Sequence, residues 1–352
     1  MFAAILFLTV KVNAISAQKA IVMDGDTGHI LYEKSASERS LIASTTKIMT
    51  ALIVCERCNV LDRVRIPKEA VGIEGSSIYL QEGEILTVQE LLYGMMLHSG
   101  NDAATALAIY CAGTVEGFSQ LMNDKAMRLG MEDSNFENPH GLDNPHHYST
   151  AKDLAILTAY AMKNPVFAKT VSTKNVNISD RSLKNHNKLL WRLEGADGVK
   201  TGYTKAAGRI LVSSAFRENR RIVTVTINAP DDWNDHKTLV NQGFSHYTSR
   251  CVINAGETLG EVEVLGAAGT ASVELVAKSD CFCTLADWEA PRIVLQEFGA
   301  VYAPVVRGQI AGIAYVKVDN AVVGKVYLLY GDTVEQQESR KVPFWRRILG
   351  GE

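Results

Sequence analysis

The stretch Leu41-Ile42-Ala43-Ser44-Thr45-Thr46-Lys47-Ile48-Met49-Thr50 decides how the rest of the chain is read. Ile48, Met49, Leu52 and Ile53 recur at helical spacing, which predicts a helix over 45–54. Ser44 then sits at the helix N-terminus, where its side chain could cap. Residues three apart on a helix share a face, so the Ser44 hydroxyl and the Lys47 amine can meet. A serine hydroxyl is a weak nucleophile at neutral pH and needs a base beside it. A lysine serves as that base when burial or a second cation lowers its pKa. One Ser-x-x-Lys is weak evidence, because the spacing occurs by chance in many helices.

Working outward, helices are predicted over 87–98, 102–112, 115–129 and 150–162, the last with Thr150 and Asp153 as a capping pair. Ser99-Gly100-Asn101 breaks the first two and can present a hydroxyl and an amide into a cleft. Before this helical stretch, residues 18–34 read as a hairpin turning at Asp24-Gly25-Asp26-Thr27-Gly28. After it, strands are predicted over 198–201, 208–215 and 221–228, followed by a helix over 235–247. The first strand carries Lys200-Thr201-Gly202, where a glycine lets a substrate backbone approach and the lysine and threonine suit a carboxylate. The hairpin and the later strands are expected to form one antiparallel sheet with the helices inserted, an α+β fold. Beyond residue 250 the pattern is short strands at 262–264, 271–277, 292–295, 309–316 and 325–329, a small all-β domain.

Taken in order, Ser44-Thr45-Thr46-Lys47, Ser99-Gly100-Asn101 and Lys200-Thr201-Gly202 resemble the three motifs of penicillin-binding proteins and serine β-lactamases. The likeness extends through Leu97 to Ala104, Asn138-Pro139-His140-Gly141-Leu142, Ser149 to Ala155 and Asp197 to Thr204. Residues 18–335 as a whole resemble the low-molecular-mass D-alanyl-D-alanine carboxypeptidases, most strongly before residue 230. The resemblance implies the penicillin-binding, β-lactamase-like transpeptidase fold and an acyl-enzyme on Ser44, formed from peptidoglycan stem peptides ending in D-Ala-D-Ala and from β-lactams. Lys47 would be the general base. Ser99 would be catalytic too, moving protons with Lys200. Asn101, Lys200, Thr201, Gly202 and Tyr203 would hold substrate, with the oxyanion between the backbone N–H groups of Ser44 and Tyr203. No metal or cofactor is implied. Relatives often carry an arginine in the loop that is Ala229 to His236 here, and this loop has none. Arg209, on the strand after Lys-Thr-Gly, is expected to replace it. His140 is expected to fix its loop by hydrogen bonding. The segment Asn187 to Trp191 is read as the floor of the site. A serine β-lactamase and an inactive sensor of wall peptides are the alternatives. No Glu-x-x-Leu-Asn segment, as class A β-lactamases use for deacylation, lies between Gly113 and Asp197.

Composition is that of an ordinary folded globular protein. The chain has 352 residues, 47% hydrophobic and 21% charged, and a net charge of −3 gives a nucleic-acid partner no support. Phe2 to Val10 is apolar, and Val12-Asn13-Ala14 and Ile15-Ser16-Ala17 both fit small-x-small cleavage, so 1–17 reads as a signal peptide. The catalytic domain then spans 18–250, the β-rich domain 251–335 and a tail 336–352. That tail, Val342 to Leu349 above all, mixes aliphatics, aromatics and two arginines, suiting weak contact with the outer face of the cytoplasmic membrane. The six cysteines read as free thiols. Cys55 and Cys58 are expected within one helix, Cys111 and Cys251 without partners, and the thiols of Cys281 and Cys283 pointing apart on a strand.

Overall fold

The structure, a computed structural model, describes residues 14–269, 272–296 and 299–337. The expected signal segment before residue 14 and the tail after 337 lie outside these residues. The chain divides into two units, Met1–Tyr247 and Thr248–Glu352.

Unit 1 begins with the hairpin β1 (Lys19–Asp24) and β2 (Ile30–Lys34). A 3₁₀ turn, Ala43–Thr46, leads into α1 (Lys47–Arg57). β3 (Arg63–Arg65) and β4 (Ile85–Thr87) form a small antiparallel pair. Helices α2 (Val88–Leu97), α3 (Asn101–Ala112), α4 (Val115–Leu129), α5 (Ala151–Ala161) and α6 (Pro165–Ser172) follow. A second small pair, β5 (Asn175–Ile178) and β6 (Arg181–Lys184), and a short α7 (Leu189–Arg192) precede β7 (Ala196–Thr204), β8 (Gly208–Arg217), β9 (Arg220–Ile227) and α8 (Asp232–His246).

The main sheet has the order β2-β1-β9-β8-β7, antiparallel throughout. Lys19 pairs with Ile227, so the two ends of the unit meet in the middle of the sheet. Alternation along the strands supplies both faces. Ile21, Met23, Val223 and Val225 pack with Ile48, Leu52, Leu92 and Leu107 of the inserted helices. Ala20, Val22 and Ile222 face the other way, against Leu239 of α8.

Local chemistry sets several boundaries. Thr87 and Glu90 form a reciprocal capping box at the start of α2. Thr150 caps α5 by accepting from the Asp153 N–H, but the Asp153 carboxylate turns instead to Asp133 N and Ser134 Oγ. Ser44 makes no capping bond, because its hydroxyl faces Lys47.

Unit 2 is all β. β10 (Tyr247–Ile253) pairs with β13 (Cys281–Ala286). A six-stranded sheet runs in the order β14 (Arg292–Leu295), β16 (Ile310–Val318), β17 (Ala321–Tyr330), β12 (Ser272–Ala277), β11 (Thr258–Leu265), β15 (Val301–Tyr302). Its core is aliphatic, built on Val262, Leu275, Val316 and Leu328.

Three cysteine expectations are corrected. Cys281 and Cys283 do not point apart: residues two apart on a strand share a face, and their sulfurs lie 4.0 Å from each other, both buried. Cys58 lies past the end of α1 in extended backbone, not in the helix with Cys55. Its thiol meets Cys111, which was expected to have no partner. All six remain free thiols.

Candidate active site

Two tight turns aim the first pair of side chains. Ala43, just before Ser44, has φ +44°. The neighbouring turn passes so close that a Cβ built at Gly141 falls 1.9 Å from the Ala43 carbonyl oxygen. Gly141 itself has φ +88°, so glycine is required there on both counts. Ser99, at the break between α2 and α3, also sits at positive φ, +66°. Such backbone costs of order 1–3 kcal/mol per residue and persists where its surroundings enforce it.

Lys47 Nζ lies 3.0 Å from Ser44 Oγ, 2.6 Å from Asn101 Oδ1 and 2.7 Å from the His140 carbonyl oxygen. Burial holds its pKa well below the usual lysine range; the charge of Lys200 lowers it further and that of Asp102 opposes. A neutral amine has two hydrogens and one lone pair. Asn101 Oδ1 and the His140 carbonyl can only accept, so they take both hydrogens. The lone pair is left for the Ser44 hydroxyl proton, the arrangement a general base needs. Asn101 is held in turn by donating Nδ2 to the Glu74 carbonyl at 2.5 Å.

Lys200 Nζ reaches Ser99 Oγ at 3.1 Å and the Thr201 carbonyl at 2.8 Å, and burial pushes its pKa down to about 7. The strand that carries it, β7, runs over the turn of Ser44: a Cβ at Gly202 would lie 3.3 Å from the Ser44 N. The Ser44 amide and the end of β7 thus flank one space. Ser44, Ser99, Thr201, Gly202, Tyr203 and Arg209 line a common cleft of 390 Å³. Arg209 Nη2 bonds both oxygens of Asp232, at 2.7 and 2.9 Å. Its side chain is 44% exposed, whereas Asp232 is buried and its pKa raised by that burial against the opposing arginine.

Sequence reasoning missed several supports. Asp102 accepts from Ser77 Oγ and from the backbone N–H groups of Ile78, Leu80 and Ala103, tying the 74–80 loop to the start of α3. Ser76 of that loop lines the cleft. His147 accepts from the Glu137 N–H at Nδ1 and so donates from Nε2 to Thr46 Oγ1, which donates to the Ala43 carbonyl. Burial keeps His147 neutral, with a pKa of about 4. The Asp in Ser-Gly-Asn-Asp was a visible signal; the histidine carried none. His140 Nδ1 accepts from the Leu142 N–H, within its own loop. In the 187–191 segment, Asn187 Oδ1 accepts from the Leu189 N–H, while Lys188 lines the cleft. Trp233 lines it too, from the first turn of α8, which takes up most of the segment read as a loop without arginine.

A Ser-x-x-Lys pair at a cleft edge, its buried lysine oriented by Asn101 and the His140 carbonyl, with a second buried lysine on an adjacent edge strand, defines an active-serine enzyme. Comparison with known proteins narrows this class. The family model described as D-alanyl-D-alanine carboxypeptidase matches residues 7–231, and that of the penicillin-binding protein 5 C-terminal domain matches 247–336. The chain belongs to the D-alanyl-D-alanine carboxypeptidase family, with the α+β penicillin-binding fold and a C-terminal β domain. It is 33% identical to the D-alanyl-D-alanine carboxypeptidase DacF of Bacillus subtilis, over 96% of this chain and 90% of that protein. It is 32% identical to the carboxypeptidase DacA of Haemophilus influenzae, over 89% and 84% respectively. The solved structure of penicillin-binding protein 5 from Haemophilus influenzae superposes with a TM-score of 0.80 at 30% identity, covering 93% of this chain and all of that one.

Proposed function

We propose that this chain removes the terminal D-alanine from peptidoglycan stem peptides by way of an ester on Ser44. The observation that carries the reading is the bonding of Lys47, whose two hydrogens are taken by carbonyls and whose lone pair faces Ser44. Lys47 takes the hydroxyl proton as Ser44 Oγ attacks the carbonyl between the two D-alanines. The oxyanion is met by the Ser44 and Tyr203 N–H groups. Ser99, fed by Lys200, returns a proton to the leaving amine. Water then cleaves the ester. Asn101 holds Lys47 and keeps a further N–H for a substrate amide. Lys200, Thr201 and Arg209 hold the terminal carboxylate. Arg209 does so from the cleft wall, with part of its charge offset by Asp232. In Arg209→Ala, unchanged affinity for the D-Ala-D-Ala terminus would remove that assignment.

The test is mass spectrometry after brief exposure to benzylpenicillin, with D-alanine release measured in parallel. A stable adduct on the Ser44 peptide, absent from Ser44→Ala, together with D-alanine release, is expected. Rapid drug loss without an adduct would instead mean a β-lactamase, and neither adduct nor turnover would mean an inactive sensor.

Export and an extracytoplasmic site of action belong to the same proposal. They rest on the apolar N-terminus and on the substrate. Ser16 donates its N–H and hydroxyl to Asp235, and Ala17 is fully buried and also bonds Asp235. Cleavage after Ala17, the boundary expected from the sequence, would lose these bonds and cleavage after Ala14 preserves them, so the exported chain is expected to start at Ile15, which N-terminal sequencing reads directly. Among the described residues no helix is long and apolar enough to cross a membrane. Membrane contact through the tail rests on its composition alone, and flotation with anionic vesicles tests it.

A further inference from the structure

Beside the catalytic cleft lies a second one, of 590 Å³, lined by His98, Lys184, His186, Lys188, Trp191 and Arg192. It adjoins the first, since His186 and Lys188 line both. No carboxylate lines it. Lys184 and the nearby Lys174 lie 5.5 and 5.9 Å from the centre of the Trp191 ring, which is 43% exposed. Lys188 lies 6.0 Å from the ring of Trp233 in the catalytic cleft.

Three cations, Lys184, Lys188 and Arg192, line this second cleft. Among the described residues no ion pair involves Lys174, Lys184, Lys188 or Arg192. Three cations around one concavity, with Lys174 near its indole, repel each other unless an anion joins them. His186 does not supply charge, being held near a pKa of about 4 by burial and by Lys200. His98 has a buried Nδ1 with no hydrogen-bond partner in the chain. An indole face with cations around it suits a flexible chain that carries carboxylates among apolar atoms.

The geometry points to this second cleft as a subsite for a peptide carboxylate, extending recognition beyond the D-Ala-D-Ala terminus. The inference rests on the proposed carboxypeptidase reading. The carboxylate comes from the upstream residues of the substrate itself or from a second wall peptide lying alongside.

The double variant K184Q/R192Q separates the possibilities without touching the residues assigned to chemistry. Two peptides are compared that differ only in whether the side-chain carboxylate upstream of D-Ala-D-Ala is free or amidated. The intact chain is expected to show a KM about 3- to 10-fold lower for the free carboxylate, as two partly exposed ion pairs would give. The preference shrinks as salt is raised. In K184Q/R192Q the two KM values converge while kcat is kept, and K184R/R192K restores the difference. If a second chain supplies the carboxylate, an acidic peptide lacking D-Ala-D-Ala changes turnover of the amidated substrate by the intact chain but not by the variant. Absence of both effects in the intact chain, or their survival in the variant, would overturn the subsite. Failure of the carboxypeptidase reading looks different: neither peptide is turned over and benzylpenicillin leaves no adduct.

Discussion

Lys47 is a base because of what its hydrogens are doing. Removing it leaves Ser44 with no group to take its proton, so Lys47→Ala is expected to slow acylation by benzylpenicillin by ~10²–10⁴. Lys47→Arg should fare no better, since a guanidinium does not give up its proton. Stopped-flow acylation rates measure both. Lys200 sets a pH limit of a different kind. With a pKa of about 7 it is charged below neutrality and loses that charge above it. In the free enzyme its hold on a substrate carboxylate therefore weakens as pH rises through 7, and kcat/KM for the peptide is expected to fall there. In Lys200→Arg this alkaline fall should vanish, whatever the residual rate. Initial rates across pH 6–9 are the measurement.

Between residues and the whole chain stand the turns and helices that aim the site. Gly141→Ala places a methyl against the Ala43 carbonyl and forces an alanine to φ +88°. The nucleophile turn must shift, and a misplacement near 1 Å costs roughly 10²-fold in rate. Acylation is thus expected to fall by about that factor with circular dichroism little changed. At the other end of the same region, Thr87→Ala removes a capping box and should cost about 1 kcal/mol in denaturant unfolding without altering acylation per folded molecule. These elements differ in how far the sequence reveals them. Helices such as α2 and α4 carry their period and their caps in the sequence, and the residues singled out there lie together: Ser44, Ser99 and Arg209 line one cleft, with Lys47 bonded to Ser44 and Lys200 to Ser99. The pairs β3–β4 and β5–β6 have strands of three or four residues, too short for any alternation to register. The support from Asp102 depends on a loop more than twenty residues away folding back, and that of His147 on a turn a hundred residues from Thr46. Such contacts are set by tertiary packing, which no local pattern encodes.

Over the whole molecule, two aliphatic cores lie in the two units, one around Leu52 and Leu92 and one around Leu275 and Val316. Each can melt by itself. Calorimetry of the full chain is expected to resolve two transitions, with β-lactam acylation moving only the one that belongs to unit 1. Acid should act on unit 1 as well. His147 and His236 are buried and His140 half-buried, with pKa values of about 4, 3 and 3 in the folded chain against 6.5 when exposed. The folded state binds fewer protons than the unfolded one in that window, so stability is present above pH 6.5 and is lost as pH falls toward 4. The midpoint of the unit 1 transition should drop accordingly. Tm measured from pH 7 to 4 checks the sign.

The pairing of Lys19 with Ile227 has a consequence for how the enzyme comes into being. Chain synthesis delivers residues from the N-terminus onward. Ser44 and Lys47 emerge early, but β7, β8 and β9, and Lys200 with them, come more than a hundred residues later. Contacts of such long range form slowly, after the intervening chain is available. A partly delivered chain thus holds its nucleophile with no second lysine, no edge strand and no cleft. The hydrolytic site exists only once nearly all of unit 1 has been made, and the order of the strands keeps a partly synthesised chain inactive.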